Sequence, residues 1–87
     1  MGLTISEIRD RTTRARHLMQ RSRQQGFAVG AFNIDNQETL IAIARAAQAQ
    51  NSPVLIEVSQ GEVEALGLEN VRDMVDNYRE EYGIEAY

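Results

Sequence analysis

A chain of 87 residues with a formal net charge of −4 and no cysteine can form one small domain, burying roughly 60–65% of its unfolded surface. It has no disulfide framework to reinforce a thin core and no thiolate to serve as nucleophile or metal ligand. The acidic balance excludes a nucleic-acid ligand as the expected partner, because phosphate backbones are held by clustered cations. The lack of cysteine fits a reducing, cytoplasmic setting, and since no stretch approaches the roughly 18 apolar residues of a membrane span, no membrane partner is expected. Gly2 and Ser6 match a loose myristoylation pattern that is short and frequent by chance.

"TISE" sets Thr4 three residues before Glu7, the spacing of a capping box, and predicts a helix starting there. Ile5, Ile8, Thr12, Ala15, Leu18, Met19 and Ser22 then recur at steps of three or four, an apolar stripe opposite the arginines, with Gly26 as the stop. Arg9, Arg11, Arg14, Arg16, Arg21 and Arg23 all precede Gly26, and they read as a solvated helix face. His17, the single histidine, sits among them and reads as a surface or packing residue, since a metal site needs several converging ligands.

"FAVGAF" follows as a short buried strand, and "DNQE" repeats the capping spacing with Asp35 ahead of Glu38. "TLIAIARAAQAQ" continues as an alanine-rich helix whose wide apolar surface predicts cover on more than one side. Pro53 disfavours helical geometry at Ser52 and closes that helix. "VLIEVS" reads as the second strand, interrupted by Glu57, which is expected in a polar network. A short helical turn lies between Gly61 and Gly67, then Leu68, Val71, Met74, Val75, Tyr78 and Tyr82 form another amphipathic stripe ending at Gly83. "IEAY" begins a third strand.

Helices alternating with strands through short loops predict an α/β fold of neighbouring parallel strands joined by right-handed crossovers. The whole chain reads as one segment: residues 1–26 form an N-terminal helix, and residues 27–87 form two and a half β/α units. Chemistry in such folds collects at the carboxyl ends of strands, where this sequence places Asn33 and Ser59. Asn33 either turns the chain and caps the next helix or presents its amide to a polar ligand. Ser59 either starts a turn or hydrogen-bonds a phosphate. With no lysine in the sequence, no Schiff base can form on this chain.

The stretch "GFAVGAFNIDNQETLIAIARAAQAQNSPVLIEVSQG", with the amphipathic helix before it, resembles the N-terminal part of the class II, metal-dependent ketose-bisphosphate aldolases. The similarity covers residues 4 to 87. It implies the N-terminal portion of a (β/α)₈ TIM barrel that reversibly cleaves a ketose 1,6-bisphosphate into dihydroxyacetone phosphate and glyceraldehyde 3-phosphate. A zinc cofactor in the complete enzyme would polarise the ketone, which needs no lysine. Asn33 resembles the family's strand-one asparagine at the active-site rim, and Ser59 resembles its strand-two serine near the substrate phosphate. The family's catalytic aspartate and metal ligands come at the end of strand three and later. The resemblance therefore assigns this segment substrate-binding residues but no catalytic residue and no metal ligand, and the fragment is expected to be inactive alone. A phosphorylated sugar and further copies of the chain, in a homo-oligomer, are the expected partners. The other expectation is a small non-enzymatic module or assembly partner that buries its open strand edges by self-association or against another chain.

Overall fold

The computed structural model describes residues 4–87; Gly2, and with it the acylation pattern, lies outside the described residues. The elements run α1 (Ile5–Gln25), β1 (Gly30–Asn33), α2 (Gln37–Gln50), β2 (Val54–Glu57), α3 (Gln60–Leu66) and α4 (Leu68–Tyr82). This is a mixed α/β arrangement of four helices and a two-stranded parallel sheet.

The helix ends follow from local chemistry. Thr4 and Glu7 form the expected reciprocal capping box, and Gly26 closes α1 at φ 75°, a left-handed conformation that costs a glycine nothing. α2 is capped one residue later than the sequence spacing suggests. The side chain of Asn36, not Asp35, accepts the Thr39 N–H at 2.9 Å. Asn36 has the extended backbone that an N-cap requires, and an amide oxygen serves there as well as a carboxylate. Asn51 ends α2 in the left-handed conformation and Pro53 prevents its return. Gly67, at φ 87°, separates α3 from α4.

β1 and β2 pair in parallel with Gly30 opposite Val54, Phe32 opposite Ile56 and Asn33 opposite Glu57. Residues 85–87 add to the other edge of β2: Val54 N–H donates to the Glu85 carbonyl at 2.9 Å, Ile56 N–H to Tyr87 at 2.7 Å, and Tyr87 N–H to Val54 at 3.3 Å. The parallel strands thus follow one another across the sheet in chain order.

The core lies on one side of this sheet. Ile34, Leu40, Ala47, Val54, Val71, Val75 and Ala86 form one buried cluster, which joins α2 and α4 to the face carrying Val54 and Ile56. Side chains alternate along a strand, so Ala31, Asn33, Leu55 and Glu57 share the opposite face. Ala31, Asn33 and Glu57 there are exposed.

Three expectations are corrected. β1 is not buried: each of its four residues is exposed, and Phe32 keeps 47% of its surface in solvent, because helices cover the sheet from one side only and β1 stands at its edge. α2 is covered on one side only, through Leu40, Ala44 and Ala47. The arginines of α1 are also not a uniformly solvated face. Arg11 pairs with Asp76 and Arg21 with Glu85, so polar clamps join α1 to α4 and the third strand, while Leu18 is its one fully buried side chain. The outer part of the α1 stripe stays in solvent, with Ile5 69% exposed.

Candidate functional site

The carboxyl ends of β1 and β2 finish level with each other because the parallel register pairs their last residues, Asn33 and Glu57. The chain leaves β1 through Ile34, whose N–H still bonds the Glu57 carbonyl at 3.0 Å and whose side chain is wholly buried. That anchor holds Asn33 at the rim with its amide exposed. The capping task falls to Asn36 three residues later, so Asn33 is not used as the helix cap.

Ser59 lies two residues beyond Glu57, at the N-cap of α3, and there the capping alternative is realised. Its Oγ accepts the Glu62 N–H at 3.4 Å and donates to the Glu62 carboxylate. That hydroxyl bond is the main reason the Glu62 carboxyl sits below its ordinary value. Among the described residues no hydrogen bond joins the Asn33 amide to the Ser59 hydroxyl; the cross-strand neighbour of Asn33 is Glu57. Glu57 is exposed at this rim rather than enclosed in a polar network, so its charge carries no burial cost. His17 is exposed on α1.

An apolar groove of about 510 Å³ lies elsewhere. It runs between β1 and α2 on the helix side of the sheet, lined by Gly30, Phe32, Ile43, Ala46 and Pro53 among others, and none of its lining residues is charged. Such a surface suits packing better than chemistry on a polar substrate. The rim is the better candidate because its groups donate and accept.

A second polar cluster escaped sequence reasoning. Asp76 accepts Arg11 Nε at 3.0 Å and Arg79 Nη1 at 2.9 Å on one carboxylate oxygen, and Arg11 Nη2 on the other. Arg79 is 7% exposed, donates Nε to the Ala86 carbonyl at 2.6 Å, and lies over the Tyr87 ring with 4.8 Å from Cζ to the ring centroid. Burial alone would raise the Asp76 carboxyl, but the hydrogen bonds and charges of Arg11 and Arg79 outweigh it and hold the group below its usual value. Arginine and aspartate 65 residues apart leave no local signal in a sequence.

Comparison with known proteins places this geometry in a family. The description "Fructose-bisphosphate aldolase class-II" matches residues 13–86. The fructose-bisphosphate aldolase of Streptococcus pneumoniae is 42% identical over 71 residues, which is 80% of this chain and 24% of that protein. Its counterpart in Streptococcus pyogenes serotype M1 is 41% identical over the same shares. The sulfofructosephosphate aldolase of Alkalicoccus urumqiensis is 33% identical over 67 residues, covering 77% of this chain and 23% of that protein. The chain belongs to the class II fructose-bisphosphate aldolase family. It spans about a quarter of the length of these relatives.

Proposed function

We propose that this chain forms the opening strands of a (β/α)₈ barrel whose reaction is the reversible, zinc-dependent aldol cleavage of a ketose 1,6-bisphosphate to dihydroxyacetone phosphate and glyceraldehyde 3-phosphate. The observation that carries this reading is the sheet itself. Successive parallel strands end together at a rim carrying Asn33, α2 and α4 lie together on one face, and the other face is open, as the inner face of a barrel would be before its remaining strands are added. A full barrel takes roughly 200–250 residues, so catalysis belongs to a longer assembly of which these residues form one wall.

Among the described residues no group of three or more His, Cys, Asp or Glu side chains is brought together to hold a metal. The residues present do not fit the zinc that the family reaction uses, and no catalytic step is assigned to a metal on this segment. Its own contribution is binding. The Asn33 amide is placed to donate to and accept from a sugar hydroxyl or carbonyl, and the Ser59 hydroxyl, once turned from Glu62, to donate to a phosphate oxygen. The absence of lysine is consistent with a route that forms no Schiff base on these residues.

The test is an assay of fructose 1,6-bisphosphate cleavage on the polypeptide that carries this segment. Triose phosphate release that stops on chelation, and that survives borohydride in the presence of substrate, is expected; trapping by borohydride refutes the reading. A second reading, a small assembly module that self-associates, is favoured by the outer edge of β1, which no strand pairs among the described residues, and by the apolar groove beside it. Sedimentation of the 87-residue chain as a monomer would remove it.

A further inference from the structure

We propose that Arg79 is a positioning residue: through the Ala86 carbonyl and the Tyr87 ring it fixes the register in which the third strand joins β2, and so sets which residues of that strand reach the rim of Asn33 and Ser59.

The need for such a device follows from the strand itself. Backbone ladders are indifferent to register, because every residue offers the same N–H and C=O. Register is normally chosen by side-chain pattern, and "IEAY" is a weak pattern in which the buried member, Ala86, is small. A slip of one residue would turn Ala86 to the open face and drive Glu85 or Tyr87 toward the core.

Arg79 supplies the missing discrimination. The bonds to β2 use the Glu85 carbonyl and both backbone groups of Tyr87, so the Ala86 carbonyl points away from β2, and Arg79 Nε donates to it from the outer side. A strand slipped by one residue would present another carbonyl at the same place, but it would turn the Tyr87 ring to the other face of the sheet, away from the guanidinium. The guanidinium cannot follow, because Nη1 is tied to Asp76, which is held in turn by Arg11 of α1. Its remaining Nη2 is buried without a hydrogen-bond partner among the described residues, and the guanidinium lies over the Tyr87 ring, whose face attracts the charge. An aliphatic side chain would fill this place without the desolvation cost of a buried cation; what it lacks is direction. Fixing a registry is the best-attested use of such a buried polar group.

The consequence reaches the site. With Val54 opposite Ala86, Tyr87 stands level with Leu55 and its partner Ala31, on the open face that Asn33 and Glu57 share. What chemistry that position delivers rests on the aldolase reading; the register itself does not.

The experiment is amide hydrogen exchange with cross-strand nuclear Overhauser contacts, measured by NMR on the 87-residue chain, which needs neither substrate nor metal. The variants are Arg79→Met, which removes every donor, and Arg79→Lys, which keeps charge but loses the planar fork. In both, the Val54, Ile56 and Tyr87 amides are expected to exchange at least about tenfold faster, with loss of the Val54–Ala86 contact. The Ile34 amide, bonded across β1 and β2, keeps its protection. Unchanged Val54 and Tyr87 amides, or equal loss at Ile34, would overturn the proposal, since equal loss is what general destabilisation gives. If Arg79→Met does not fold, Arg79→Lys decides alone, by the same criteria. Failure here leaves the cleavage assay untouched, and failure of that assay leaves the register untouched.

Discussion

Asn33 and Glu57 stand opposite one another at the last paired position of two parallel strands, and the Ile34 amide closes the ladder onto the Glu57 carbonyl. An exposed amide and an exposed carboxylate therefore share one rim and one face, held by backbone bonds that depend on neither side chain. Asn33→Ala and Glu57→Gln are each expected to change unfolding free energy by no more than about 0.5 kcal/mol. On the proposed function, Asn33→Ala weakens sugar-phosphate binding by about 1–3 kcal/mol. Urea titration and calorimetric binding on the polypeptide that carries the segment measure the two effects separately. A large stability loss in Asn33→Ala would show that its amide works for the fold.

Ser59 is doubly committed, as the cap of α3 and as the proposed phosphate contact, so a simple deletion confuses the two roles. Ser59→Ala is expected to destabilise α3 by about 1 kcal/mol through loss of the cap. Ser59→Asn keeps a capping oxygen and restores that stability, yet its longer amide displaces the hydroxyl. Weak phosphate binding in both variants, with stability recovered only in Ser59→Asn, is the expected pattern. Full binding by Ser59→Asn would mean that the cap, not the hydroxyl, is what the site requires.

Asp76 makes the fold sensitive to acid. Its carboxyl titrates below the roughly 3.9 of an unfolded aspartate. A depressed folded value contributes stability that is complete above the unfolded value and lost as pH falls through the folded one, so this contribution disappears below about pH 4. Asp76→Asn should flatten that part of the stability profile. At neutral pH it should cost on the order of 2 kcal/mol, since Arg79 is left buried beside a neutral group. Thermal unfolding of both proteins between about pH 3 and 7 tests the sign; parallel profiles would contradict it.

What the sequence disclosed was local. Thr4 with Glu7, Gly26, Gly67 and Pro53 mark their boundaries through one-residue conformational rules, and the structure keeps them. The cap of α2 is not legible to the residue because Asp35 and Asn36 are both good caps, and only the structure shows that Asn36 is the one that accepts the Thr39 N–H. β1 is shorter than its apolar run, since Phe27, Ala28 and Val29 precede the first residue that Val54 can pair. Its exposure was illegible for a different reason: an apolar strand declares that it suits a buried place, not that the covering elements are present in the same 87 residues. For the site, Asn33 and Ser59 could be named from their positions after strands, whereas the rivalry between Ser59's two roles needed coordinates. The Arg11–Asp76–Arg79 cluster could not be foreseen at all, because its members look like ordinary helix-surface charges until α1 is folded against α4.

The docking of α1 gives the last prediction. Among the contacts that hold it are Leu18, with none of its surface exposed, and ion pairs of which Arg21–Glu85 is the more solvated, with side chains 40% and 43% exposed. Removing a wholly buried leucine leaves a cavity and costs about 2–5 kcal/mol, while an exposed ion pair is worth at most about 1 kcal/mol and is screened by salt. Leu18→Ala is therefore expected to free α1, with its amides losing protection while the core around Leu40 and Val75 keeps it. Arg21→Ala should change little, and less still in high salt. Equal effects of the two substitutions would mean that charge, rather than burial, seats the helix.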